Sequence, residues 1–63
     1  MKTFTAIYDT ETMQNVGYST KAKDLQHALI FFRSHISSPI KKVIQSTTWY
    51  NDPNGKDTVV YKA

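Results

Sequence analysis

Asp24-Leu25-Gln26-His27-Ala28-Leu29-Ile30-Phe31-Phe32-Arg33-Ser34-His35-Ile36-Ser37-Ser38-Pro39 decides the fold, because it is the one stretch with a helical period. Leu25, Ala28, Leu29, Phe32 and Ile36 fall at i, i+3, i+4, i+7 and i+11, one apolar stripe of an amphipathic helix. Asp24 precedes the stripe, where a carboxylate can accept from the free N–H groups of the first turn. Arg33 and His35 occupy the last turn, favourable against the negative end of the helix dipole. Ser37-Ser38-Pro39 stops the helix, since the residue before proline avoids the α region. The span 25–36 makes a rod roughly 18 Å long at 1.5 Å per residue.

Outward from the helix, the period drops to two on both sides. Residues 16–23 alternate, with Val16, Tyr18, Thr20 and Ala22 on one face and Gly17, Ser19, Lys21 and Lys23 on the other. Residues 3–8 are rich in β-branched and aromatic types and read as a strand with Phe4, Ala6 and Tyr8 on one side. The polar cluster Asp9-Thr10-Glu11-Thr12 turns between them. After the helix, residues 41–50 read as a third strand and 58–62 as a fourth. Asn51-Asp52-Pro53-Asn54-Gly55-Lys56 links them, with Pro53 presetting φ and Asn54-Gly55 expected in the left-handed region. The expectation is a single α+β domain over residues 1–63, of order β-β-α-β-β, with one helix on one face of a four-stranded antiparallel sheet. Strand order 2-1-3-4 follows if strand three pairs with strand one; strand three beside strand two is the competing topology.

Composition narrows the function. At 63 residues the chain buries only about 60% of its unfolded surface, so extra stability must come from aromatics or self-association. There is no cysteine, hence no disulfide and no thiolate to join His27 and His35 in a zinc cluster. Met1-Lys2-Thr3-Phe4 opens without an apolar signal core, and the longest apolar run, Ala28 to Phe32, is far below the ~20 residues of a membrane span. A cytoplasmic protein with no membrane partner and no cofactor is expected. The formal charge of +3 is mild and permits an acidic protein surface or nucleic acid without demanding either.

Catalysis is not expected. Asp24, His27 and Ser34 are the residue types of a triad, but His27 and Ser34 lie seven positions apart, about 10.5 Å along a helix axis, whereas a nucleophile must lie within ~3 Å of its base. A cap, an exposed histidine and a surface serine are the simpler reading.

Binding has more to work with. Ile30 and Phe31 lie roughly 120–140° off the core stripe, so they either finish the margin of a small core or form an exposed apolar patch beside His27, Ser34 and Arg33. Eight aromatics exceed what one helix-facing layer needs, so some of Tyr8, Trp49, Tyr50 and Tyr61 are expected on the uncovered sheet face. There, with Lys21, Lys23, Lys41, Lys42 and Lys62, they could stack bases and hold phosphates, or simply pair across strands. Lys41-Lys42 could be a small basic patch or edge protection, and an unpaired edge strand could add a partner strand. The candidate partner-binding residues are His27, Ile30, Phe31, Arg33, Lys41, Lys42, Trp49 and Tyr50.

Phe4-x-Ala6-Ile7-Tyr8, the turn with Glu11, Val16-x-Tyr18 and Asp24-Leu25-x-x-Ala28-Leu29 together resemble very small bacteriophage proteins that bind and disable host factors, of the type that inhibits bacterial RNA polymerase. The likeness covers about two thirds of the chain, and the second hairpin departs from it. It implies a free-standing, phage-encoded, non-enzymatic regulator that inhibits a host protein by occlusion. A nucleic-acid-binding module using the open sheet face and a self-assembling homodimer are the alternatives.

Overall fold

The computed structural model describes residues 2–50 and 52–63. Its elements are β1 (Lys2–Tyr8), β2 (Val16–Ala22), α1 (Leu25–His35), β3 (Ile40–Ser46) and β4 (Asp57–Lys62). They form one antiparallel sheet of order β2-β1-β3-β4 with the helix on one face, the order expected from pairing strand three with strand one.

The helix forms for local reasons. The Asp24 carboxylate accepts the His27 N–H at 3.0 Å, and the Ile36 N–H closes the last turn on the Phe32 carbonyl. Its inner stripe, Ala28, Phe32 and Ile36, meets Phe4 and Ala6 of β1, Ala22 of β2 and Val43 of β3 in a single buried cluster. Phe4 and Phe32 are the largest side chains fully enclosed there. The helix lies over β2 and β1, not over the middle of the sheet. Leu25 and Leu29 are therefore only partly buried.

The β1–β2 ladder is regular, and the β1–β3 and β3–β4 ladders carry one bulge each. Lys41 is the extra residue of β3 where Tyr8 pairs with Ile40, and Val60 is the extra residue of β4 where Val43 pairs with Tyr61. Such an insertion turns neighbouring side chains toward one face, and both Val60 and Tyr61 pack on the helix-side core.

The third strand is shorter than expected: β3 stops at Ser46. Thr47 makes the closing rung, its N–H donating to the Lys56 carbonyl at 3.1 Å and its Oγ1 accepting the Lys56 N–H. Beyond it the chain follows Asp52, which captures the backbone that a longer strand would have used. The buried Asp52 carboxylate accepts from Thr48 Oγ1 and from the Asn54 N–H, while the Asp52 N–H donates to the Trp49 carbonyl. Gly55 N–H closes the Asp52–Gly55 turn at 3.0 Å. Neither Asn54 nor Gly55 has positive φ; among the described residues that conformation belongs to Asn15, φ 55°, at the end of the first hairpin loop. Proline at the second position of a turn without positive φ fits type I geometry. Gly55 is required for room instead, since a Cβ there would lie 2.5 Å from Thr48 Oγ1. Asn51 of the expected turn lies outside the described residues.

Candidate partner-binding surface

Four surfaces compete. The first is the outer face of α1. Ile30 is exposed, at 58%, whereas Phe31 is half-buried. Phe31 lies against Tyr18 with ring centroids 5.9 Å apart, and His35 stacks on it at 4.1 Å. The expected choice between margin and patch therefore splits: Phe31 finishes the core edge and Ile30 alone stays outside. The His27 ring nitrogen meets the Asp24 carboxylate at 2.7 Å, and Ser34 Oγ donates back to the Ile30 carbonyl. One side-chain pair and one bond to a backbone carbonyl thus absorb the polar side chains that would have made a triad. The Asp24 carboxyl is held below the usual aspartate range, first by the His27 backbone N–H and then by the His27 side chain.

The second is the sheet face away from the helix. Its cross-strand rows are Lys21–Thr3–Ser46–Asp57, Ser19–Thr5–Ile44–Val59 and Gly17–Ile7–Lys42–Lys62. Thr5 bonds Ser19 at 2.8 Å, and Ser46 donates to Asp57 at 2.7 Å. No aromatic side chain stands in these rows. Tyr8 and Tyr61 pack on the helix side instead, and Trp49 and Tyr50 lie in the 47–56 loop. The aromatic side chains expected on this face stand elsewhere, so neither a stacking platform nor cross-strand aromatic pairs form in these rows. Lys42 and Lys62 stand directly opposite each other, a like-charged pair that costs stability.

The third is the 47–56 loop. Trp49 is 64% exposed and Tyr50 half-buried there. Lys41 sits at the opposite end of β3, where its Nζ donates to Asn15 Oδ1 at 2.9 Å and approaches Asp9 at 3.6 Å. Lys41 thus ties down the first hairpin loop and forms no patch with Lys42. The expected binding residues are consequently distributed over four places and make no single site.

The fourth was not apparent in the sequence. Because α1 lies over β2 and β1, a groove of about 200 Å³ opens between the helix and the β3–β4 side of the sheet. Leu29, Ile36, Pro39, Ile40 and Tyr61 supply its apolar lining, and Arg33 is its one charge. Arg33 makes no ion pair with any of the described residues. A larger cleft of about 470 Å³ between the first hairpin loop and residues 35–38 is lined mostly by hydroxyl groups, with Glu11 as its carboxylate. Among the described residues there is no group of three or more His, Asp or Glu that could hold a metal ion, and no helix long and apolar enough to cross a membrane.

Comparison with protein-family models, with curated proteins and with solved structures finds no match.

Proposed function

We propose that this chain is a small non-enzymatic regulator that binds another protein and inhibits it by occlusion. The groove beside α1 carries this reading: a trough of mixed character with apolar side chains, whose one charge, Arg33, has no carboxylate partner among the described residues. A protein segment with a large apolar side chain next to an Asp or Glu complements it. The apolar group would replace water on Leu29, Ile40 and Tyr61, and the acid could form a bidentate bond with the guanidinium. Ile30 on the neighbouring helix face widens the contact. The resemblance to phage proteins that disable host factors adds a bacterial host protein as the target and the host cytoplasm as the setting.

Nucleic acid is the weaker partner, since among the described residues Lys42 and Lys62 have no aromatic neighbours in the cross-strand rows of their face. The test is affinity capture from bacterial lysate with wild type, Arg33→Glu and Ile30→Asp, followed by inhibition assays on the purified target. Arg33 and Ile30 are exposed, so both variants should fold. Loss of capture and inhibition at least tenfold with Arg33→Glu is expected, about the cost of one charged contact. Equal capture by all three proteins would move the interface elsewhere, and salt-sensitive retention of oligonucleotides in place of a protein would overturn the reading.

A further inference from the structure

The β4 edge matches itself. In an antiparallel ladder, consecutive residues alternate between pointing their N–H and C=O at the neighbour and away from it. Thr47 N–H donates to Lys56 O, so Lys56 and Thr58 face β3 while Asp57 and Val59 present their backbone groups outward. At the other end Ala63 N–H donates to Lys41 O, which leaves Lys62 facing outward too. Val60 is the bulge residue and drops out of the count. The outward set is therefore Asp57, Val59 and Lys62, with Thr58 and Tyr61 between them.

That set is symmetric. Turned by a two-fold axis through Val59, a second β4 places Lys62 opposite Asp57, Tyr61 opposite Thr58 and Val59 opposite Val59. Facing residues also share a side of the sheet: Asp57, Val59 and Lys62 lie on the open face, across β3 from Ser46, Ile44 and Lys42, while Thr58 and Tyr61 lie across from Gln45 and Val43 on the helix side. From this we infer that the chain pairs with a second copy of itself through β4, giving a continuous eight-stranded sheet.

Charge selects this occupant. Within one chain Lys62 faces Lys42 across the ladder, at a cost, and makes no ion pair with the described residues. In the paired sheet Lys62 gains the second copy's Asp57 on its other side, and the exchange occurs twice. Asp57 keeps its bond from Ser46, since a carboxylate has further acceptor positions. Val59, 50% exposed in the single chain, becomes the central rung. Between Asp57 and Lys62 the edge run Thr58-Val59-Val60-Tyr61 has no charge and no proline, and the Val60 bulge is its one protecting irregularity. The other edge, β2, lacks this match, because Val16–Ala22 contains Lys21 and no acid to set opposite it.

The seam is short. Six residues span about 20 Å of edge, a single strand's contact that falls short of the roughly 20–30 residues a side of a standard stable interface, so self-association is concentration-dependent. The two-fold axis stands perpendicular to the sheet, which puts both helices, and both Arg33 grooves, on one face. This inference stands apart from the groove reading: a monomer would leave the groove intact, and a dimer without a partner protein would leave the seam intact.

Sedimentation velocity from micromolar to about 1 mM, with amide exchange at both limits, tests it. A monomer–dimer equilibrium is expected, with the Val59 and Lys62 amides protected only in the dimer. Asp57→Lys sets Lys against Lys, and Lys62→Glu sets Asp against Glu. Each alone should associate at least tenfold more weakly, while an equimolar mixture of the two should restore dimer because every seam pair is then opposite in charge. Val59→Pro removes an outward N–H that the single chain does not use, and should give a folded monomer. A wild-type monomer throughout the range, or a dimer equally strong in Lys62→Glu, would overturn the inference. So would a mixture no stronger than its components.

Discussion

The two halves of the sheet are made differently. On β2 and β1 the helix provides a roof, and Tyr18, Phe31, Phe32 and His35 interlock along its margin with ring centroids 4.1–6.4 Å apart. On β3 and β4 the helix side is open, both strands carry a bulge, and the connecting loop runs from Thr47 to Lys56. The first half has its apolar groups satisfied within the chain apart from Ile30 and Met13. The second exposes Val59 and Trp49, leaves Arg33 and Lys62 without acidic partners among the described residues and ends in an unpaired edge strand. In a domain this small, stability and recognition can be assigned to separate halves by sliding one helix sideways by a strand or so.

Substituting the roof should have the largest effect. Phe32 is fully buried and touches both Tyr18 and Phe31, so Phe32→Ala removes the centre of the helix-side core. A loss of about 3–5 kcal/mol is expected, comparable with the whole stability of a domain of this size. Chemical denaturation monitored by far-UV circular dichroism checks it. If Phe32→Ala cost no more than Ile30→Asp, the helix would not be the stabilising element and the contrast between halves would fail.

A change confined to the second half should be smaller and local. Gly55→Ala normally gains a few tenths to 1 kcal/mol by restricting the unfolded chain, and φ at Gly55 is not positive, so the backbone does not object. Space reverses the sign. The new Cβ would meet Thr48 Oγ1 at 2.5 Å and Thr47 Oγ1 at 3.0 Å. Thr48 must rotate away from Asp52, leaving a buried carboxylate with one acceptor position unfilled. A net loss of about 1–2 kcal/mol is expected. Trp49 fluorescence should change because the Asp52 N–H is held by the Trp49 carbonyl, while amide protection in β1 and β2 stays as in wild type. Uniform loss of protection would show that the two halves unfold as one unit with no separate loop response.

The contrast also explains what could be read from the chain alone. Helix limits, the β-β-α-β-β succession and the inner stripe Ala28, Phe32 and Ile36 follow from periodicity and from Asp24 and Pro39, all local signals, whereas the sequence leaves two sheet orders open and the pairing of β3 with β1 selects 2-1-3-4. Trp49 and Tyr50 were misplaced because Thr47-Thr48-Trp49-Tyr50 has strand-forming residues throughout, and only the side chain of Asp52, reaching back to Thr48, diverts it. The fate of Phe31 depended on whether Tyr18 stood beneath it. The groove was hidden for a deeper reason. Leu29, Arg33, Pro39, Ile40 and Tyr61 come from separate segments, and they meet only because the helix lies over β2 and β1, a lateral choice that no period encodes. The β4 self-match needed the bulge at Val60: without it, Asp57 and Lys62 would point to opposite faces.

The smallest expected effect sharpens the first half through its cap. Asp24 is exposed on the helix N-terminus, yet its pKa lies below the ordinary value of 3.8 because the His27 backbone N–H, and then the His27 side chain, bond the ionised form. A carboxylate with a lowered folded pKa contributes stability above its unfolded pKa, and that contribution is lost as pH falls through the folded value. Asp24→Asn keeps an oxygen for the His27 N–H but cannot ionise. The melting temperature of wild type should therefore exceed that of Asp24→Asn at neutral pH, and the gap should close once pH drops below the ordinary aspartate range. Taking the difference between the two proteins isolates the Asp24 side chain. A gap that is constant with pH would mean that the charge on Asp24 contributes nothing to folding and that its oxygen, as a plain acceptor, is all the helix uses. A gap that widens in acid would require the opposite sign, a carboxylate destabilised by folding, and the two bonds from His27 exclude that.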